Sequence, residues 1–297
     1  MTGEPGNDVE ARLSFVVRIL HGIAIAGALV LFSGCNHLFY HPDAVVYSTP
    51  QRYGHLFDDI TLTEGGPALH LWRIRAHGRP RGIVVHFHGN AQNMSAHMRF
   101  VEWLAEGGYD VVTFDYRGYG SSRGKPDREG TVEDGARVLR WVAGLTDPSK
   151  ADLFVVGQSL GGAIAVAAIA RARVDRIRAV VIESAFASYR GMARSKLAQF
   201  FLTWPLQWPL SWLVSDELSP VDEVGQLSMP ILFIHGDSDP VVPCFQGRAL
   251  YEAATAPGKE FWELEGAGHT PAFLDPRLPG RGDLLRWLAS HEDKSRR

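Results

Sequence analysis

Gly157-Gln158-Ser159-Leu160-Gly161 sets a serine hydroxyl between glycines, directly after the apolar run Leu153–Val156 and directly before the small-residue stretch Gly162-Ala163-Ile164-Ala165. The pentapeptide alone would equally be a plain strand-to-helix turn. Its flanks give it chemical meaning, because a strand, a sharp glycine-permitted bend and a helix together lift a serine hydroxyl out as a nucleophile. A serine hydroxyl attacks poorly at neutral pH. It needs a base within hydrogen-bond reach and a carboxylate to fix the tautomer of that base.

Two stretches supply such partners. Phe233-Ile234-His235-Gly236-Asp237-Ser238-Asp239-Pro240-Val241-Val242-Pro243 follows one apolar run, and Gly266-Ala267-Gly268-His269-Thr270 follows the last. His269, with glycine before it and a strand behind it, is the candidate base, although the chain holds 12 histidines. Asp237 and Asp239 compete for the acid, and spacing alone does not separate them. A tetrahedral intermediate also calls for preorganised backbone donors. The Leu160 N–H at the helix start is one candidate, and the Asn90 N–H in His88-Gly89-Asn90-Ala91-Gln92-Asn93 is the other.

Other chemistries fit less well. His86 and His88 alternate along one run without a third ligand at a recognisable spacing, so no metal is assigned. Gly118-Tyr119-Gly120-Ser121-Ser122-Arg123-Gly124-Lys125 matches neither phosphate-loop spacing and reads as a structural loop. Acyl transfer through serine needs no cofactor. A formal net charge of -3, with arginines scattered along the chain, gives no reason to expect nucleic acid as a partner.

These residues need a scaffold that brings strand ends together. Short β-branched runs alternate with helical stretches from Asp58 onward, as in a mainly parallel sheet covered on both faces. Eight strands are predicted: 60–62, 69–74, 83–87, 111–114, 153–156, 179–182, 231–234 and 260–264. Helices are expected over 93–106, 131–145, 161–172, 245–256 and 281–291. Serine, acids and histidine all fall just beyond strand ends, where open parallel sheets place their sites. Residues 189–226 break the alternation with Phe200, Phe201, Leu202, Trp204, Trp208 and Trp212 among prolines. The stretch reads as an apolar cap insertion, either facing lipid or acyl chains or packed on the core.

The beginning of the chain has a different character. Ile19 to Phe32 is an apolar run of 14 broken only by His21, preceded by Arg12 and Arg18 and followed by Ser33, Gly34 and Cys35. This is the layout of a secretory signal peptide, although Glu4, Asp8 and Glu10 run against a positive leader. Leu31-Phe32-Ser33-Gly34-Cys35 resembles a bacterial lipobox, with Phe32 in place of the usual aliphatic residue. The expectation is a leader over 1–34, lipidation at Cys35, a tether over 35–54 and a catalytic domain over 55–297, held at a membrane outside the cytoplasm. An uncleaved anchor over Leu13–Phe32 would give the same placement, and an amphipathic core helix would not.

The set Leu38-Phe39-Tyr40-His41-Pro42, His88 to Asn93, Asp115-Tyr116-Arg117-Gly118-Tyr119-Gly120-Ser121-Ser122, Gly157 to Gly162, His235 to Pro243 and Gly268-His269 resembles the membrane-associated α/β-hydrolases of the bem46-like group. The resemblance implies an α/β-hydrolase fold with the triad in the order Ser159, Asp239, His269, since the second aspartate of HGxxDxxVP is the acid in that group. It implies an acyl hydrolase of esters or thioesters, without naming the acyl group. A serine peptidase and a non-catalytic binding protein are the competing functions. Where the group has HGNAGN, this chain has Gln92 in place of the last glycine.

Overall fold

The computed structural model describes residues 39–145, 152–274 and 280–293. The chain divides into two units, Met1–Phe39 and Tyr40–Arg297; the second is described here. Cys35 and the expected leader or anchor lie outside the described residues.

The strands are β1 (His41–Pro42), β2 (Phe57–Leu62), β3 (Leu69–Ile74), β4 (Gly82–Phe87), β5 (Ala91–Gln92), β6 (Tyr109–Phe114), β7 (Asp152–Gln158), β8 (Ile177–Glu183), β9 (Ile231–Gly236) and β10 (Glu260–Leu264). Eight form one sheet in the order β10-β9-β8-β7-β4-β6-β3-β2. β3 pairs antiparallel with both β2 and β6, and the other pairs are parallel. All eight expected strands are present, most of them one to three residues longer. Every residue of β4, β6, β7 and β9 is buried. That burial explains why these strands read as continuous apolar runs and not as alternations.

The helices are α1 (Met94–His97), α2 (Arg128–Leu145), α3 (Leu160–Ala172), α4 (Tyr189–Ala198), α5 (Gln207–Ser211), α6 (Pro220–Glu223), α7 (Cys244–Ala253) and α8 (Arg281–Ser290). On one face Trp103, Leu104, Phe273, Leu284, Trp287 and Leu288 close over Val84, Val111, Phe154, Val181 and Ile234. Burying each such side chain contributes roughly 1.5–3 kcal/mol. α2 begins three residues earlier than expected, because the Asp127 carboxylate accepts the Gly130 N–H at 2.7 Å and caps it.

The helix expected over 93–106 is not continuous. It is α1 followed by two short 3-10 turns, Met98–Phe100 and Glu102–Ala105, with Val101 at φ −132° between them. The Trp103 indole N–H takes the Phe100 carbonyl at 2.7 Å, the carbonyl that a continuous α-helix would offer to Leu104. Leu104 donates to Val101 instead. Burial of Phe100, Val101 and Trp103 overrides the helical spacing.

The later part of the stretch expected as a tether, 35–54, is built into the domain. His41 and Pro42 pair in parallel with Ala91 and Gln92. The buried Asn93 amide donates to the Asp43 carboxylate at 2.8 Å and to the Val45 carbonyl at 2.7 Å. From His41 onward the chain is therefore part of the fold, laid against the loop after β4.

Candidate active site

Ser159 stands alone between β7 and α3 at φ 54° and ψ −123°. A non-glycine residue at positive φ is strained, and such residues persist where their surroundings over-determine them. Here the Ser159 N–H donates to the Glu183 carbonyl of β8 at 2.8 Å, and its own carbonyl accepts the N–H groups of Gly162 and Ala163. The glycines serve close approach. A Cβ on Gly161 would lie 2.2 Å from the Phe87 carbonyl oxygen and 2.3 Å from that of His88, so only glycine lets α3 start against the loop that leaves β4. The Leu160 N–H, the first of α3, has no carbonyl one turn earlier to bond. The helix start and the Asn90 loop are thus brought together.

Asn90 itself is well held. Its side-chain oxygen accepts the His41 N–H at 3.0 Å and its carbonyl accepts the Tyr119 hydroxyl at 2.7 Å. Two residues on, Gln92 takes φ 66°. That left-handed conformation is what glycine supplies at no cost, so the chain keeps the geometry while departing from the glycine.

His269 and Asp239 meet from different strands. The His269 Nδ1 lies 2.7 Å from Asp239 Oδ2. β9 and β10 run parallel with Gly236 opposite Leu264, so their loops leave one edge together. A Cβ on Gly236 would fall 2.3 Å from the Ala267 carbonyl oxygen. Asp239 is buried and accepts the N–H groups of Val241 at 2.8 Å and Val242 at 2.9 Å through Oδ1. Burial works against its ionisation, but hydrogen bonds from His235 and His269, the charge of His269 and the Val242 N–H outweigh it and hold the carboxyl well below the usual range. The competing Asp237 points elsewhere: its Oδ1 accepts the Gly266 N–H and the Ser238 hydroxyl.

What joins the serine to the histidine is the end of β8, which the sequence did not single out. Glu183 is fully buried. One carboxylate oxygen accepts the Ala272 N–H at 2.9 Å, beyond His269, and the other accepts the Gln158 amide at 2.6 Å, beside Ser159. Ser184, at φ 51°, accepts the N–H of Thr270, itself at φ 48°, on its hydroxyl at 3.2 Å. Of the six non-glycine residues at positive φ among those described, Gln92, Ser159, Ser184 and Thr270 surround this edge. Backbone strain is concentrated where the candidate chemistry lies.

Below the serine runs a buried polar chain. The His86 Nε2 donates to the Gln158 side-chain oxygen at 3.0 Å, leaving Nδ1 to accept the Thr113 hydroxyl at 3.1 Å. Burial pushes His86 down to about 3, so it is neutral. Thr113, His86, Gln158 and Glu183 thus link β6, β4, β7 and β8 and end at the His269 loop. His86 is occupied by this chain, and His88 donates from Nδ1 to the Gly89 carbonyl at 2.8 Å. Beside His88, burial raises the Asp115 carboxyl to about 7, against the Met94 N–H that it accepts.

The insertion follows directly. α4 is capped by the Ser188 hydroxyl, and the Asp216 carboxylate clasps the base by accepting from the hydroxyls of Ser188 and Ser219 and from the Arg190 N–H. Burial opposes ionisation of Asp216, but these donors more than offset it and lower its pKa. Met192, Ala193 and Val214 are buried, whereas the aromatic side chains from Phe200 to Trp212 face outward: Phe201 is 91% and Trp208 59% exposed.

A family described as "Serine aminopeptidase, S33" matches residues 78–220. The chain is 32% identical to the protein YfhR of Escherichia coli K12 over 94% of this chain and 93% of that one. It is 30% identical to the alpha/beta hydrolase domain-containing protein WAV2 of Arabidopsis thaliana, covering 85% and 87%. It is also 30% identical to lysophosphatidylserine lipase ABHD12 of Macaca fascicularis, covering 70% and 56%. The solved esterase Pf2001 of Pyrococcus furiosus has the same fold, with a TM-score of 0.68 at 24% identity over 86% of this chain and 98% of that one.

Proposed function

Because this chain belongs to the α/β-hydrolase superfamily, we propose that it is a serine hydrolase that cleaves a carboxylic ester or thioester through an acyl-enzyme on Ser159. The observation that carries the reading is the His269 Nδ1 to Asp239 Oδ2 contact of 2.7 Å, with the carboxylate held ionised, on the edge where Ser159 is forced into a strained bend.

In this mechanism the Nδ1–H of His269 donates to Asp239, leaving Nε2 to take the proton of the Ser159 hydroxyl as its oxygen attacks the acyl carbon. The tetrahedral oxyanion is received by the N–H groups of Leu160 and Asn90. His269 then protonates the departing alcohol or thiol, and water attacks the acyl-enzyme with His269 again as base. The protonated His269 finally gives that proton to the Ser159 oxygen as the carboxylic acid leaves, which restores the neutral imidazole and the serine hydroxyl, and no cofactor enters.

The name of the lysophosphatidylserine lipase supports an ester substrate, whereas that of the matching family, a serine aminopeptidase, favours an amide as the second reading. The proposal includes membership of the bem46-like group and attachment outside the cytoplasm, by lipidation of Cys35 or by an uncleaved anchor over Leu13–Phe32. A panel of p-nitrophenyl acyl esters, acyl thioesters and aminoacyl amides tests the chemistry. Turnover of esters or thioesters that Ser159→Ala abolishes is expected. Turnover confined to aminoacyl amides would establish the peptidase, and hydrolysis undiminished in Ser159→Ala would refute both.

A further inference from the structure

We propose that the cap insertion docks the protein onto the surface of an anionic phospholipid bilayer. The inference rests on the insertion's own chemistry and stands apart from the reaction at Ser159.

Phe200, Phe201, Leu202, Trp204, Trp208 and Trp212 are exposed by 65%, 91%, 81%, 61%, 59% and 68%. Soluble proteins seldom leave so many large apolar side chains together in water, and when they do the patch marks an interaction surface. The base of the insertion is nevertheless fixed. Asp216 holds Ser188, Arg190 and Ser219, and Arg128 donates to the Ser215 and Glu217 carbonyls at 2.7 and 2.9 Å. The outward display is thus built on a clasped stem.

Charge selects the partner. The outer part of the insertion, residues 189–215, carries Arg190, Arg194 and Lys196 and no acidic residue, while the insertion's four acids, Asp216, Glu217, Asp222 and Glu223, all lie in its returning part. Among the described residues neither Arg194 nor Lys196 meets a carboxylate. The Arg194 guanidinium lies over the Trp208 ring at 4.2 Å, and that of Arg190 lies over Trp212 at 5.0 Å. Cations on tryptophan faces beside bare phenylalanine and leucine are the composition of a bilayer-surface motif, with rings at the headgroup level and basic groups toward anionic lipid. Among the described residues no helix is long and apolar enough to cross a membrane. The insertion follows β8, whose end carries Glu183 and Ser184, so docking would hold the Ser159 edge close to the lipid.

The test uses the full chain, mixed with vesicles of phosphatidylglycerol or phosphatidylcholine whose acyl chains are brominated to quench nearby tryptophan. The Trp204→Phe, Trp208→Phe, Trp212→Phe triple variant keeps the apolar surface and removes the local reporters. Cosedimentation with vesicles fixes the bound fraction whatever residues 1–38 do. We expect wild-type quenching on phosphatidylglycerol to be at least twofold that of the triple variant, and Arg194→Gln with Lys196→Gln to lower it toward the phosphatidylcholine value. Equal fractional quenching in wild type and triple variant at equal binding would overturn the proposal. So would a dimer by sedimentation velocity whose cap tryptophans are shielded from the brominated chains, since a second copy would then be the occupant.

Discussion

The edge that carries Ser159 and the insertion that follows it answer to opposite rules. At the edge, buried polar groups hold two or three partners each: Asp239 meets His269 and two N–H groups, Glu183 meets Gln158 and Ala272, and His86 meets Thr113 and Gln158. In the insertion the Asp216 clasp fixes the stem, and the large apolar groups from Phe200 to Trp212 stand exposed beyond it. The difference teaches where rigidity resides. On the proposed reading, reaction geometry is held by strand ends through hydrogen bonds that tolerate little displacement, while recognition falls to a surface whose partner lies outside the chain.

Substitutions at the two regions should therefore differ by orders of magnitude. Asp239→Asn keeps the shape but removes the charge that fixes the His269 tautomer, and kcat should fall by roughly 10⁴-fold with KM little changed. A loss below tenfold in steady-state assays would mean that another acid serves His269. Gly161→Ala sets a methyl 2.2 Å from a backbone oxygen that cannot swing aside. It should cost about 3 kcal/mol or more in denaturant unfolding and reduce turnover as the Asn90 loop is pushed from the helix start.

Asp115 gives a pH-dependent signature of the edge. Its carboxyl keeps its proton to about pH 7 in the folded chain, whereas the unfolded chain releases it near 3.8. The folded state therefore binds more protons in that window, and stability from this group declines as pH rises from about 4 to 7, then levels, by up to about 4 kcal/mol. Asp115→Asn should flatten that part of a stability profile measured by urea titration. An unchanged slope would mean that the carboxyl is ionised throughout.

The smallest effect belongs to the insertion. Trp208→Ala should change stability by less than about 1 kcal/mol, because the side chain is 59% exposed with the Arg194 guanidinium over its ring. It should weaken hydrolysis of long-chain esters more than that of acetyl esters. Equal losses on both would sever the insertion from acyl-chain recognition.

These contrasts also explain what could be read in the sequence. Strands β4, β6, β7 and β9 were legible because burial on both faces leaves an unbroken apolar run, and the Ser159 bend because its glycines are required by contact. The choice between Asp237 and Asp239 came from family resemblance, and in the structure only Asp239 bonds His269. Glu183 and Ser184 carried no signal, since their partners Ala272 and Thr270 lie 89 and 86 residues away. The break at Val101 was hidden because an indole N–H competes for one carbonyl within an apolar pattern that still reads as helical. For the aromatic insertion the pattern alone could not say whether the rings face inward or outward, as the same spacing serves both.

The central claim is that Ser159 is a nucleophile activated by His269 and Asp239. Treating the full chain with an alkyl fluorophosphonate and mapping the adduct by mass spectrometry tests it most directly. The account predicts one adduct per chain on Ser159, formed far more slowly in His269→Ala. An unlabelled wild type, or an adduct on any other residue, would contradict it.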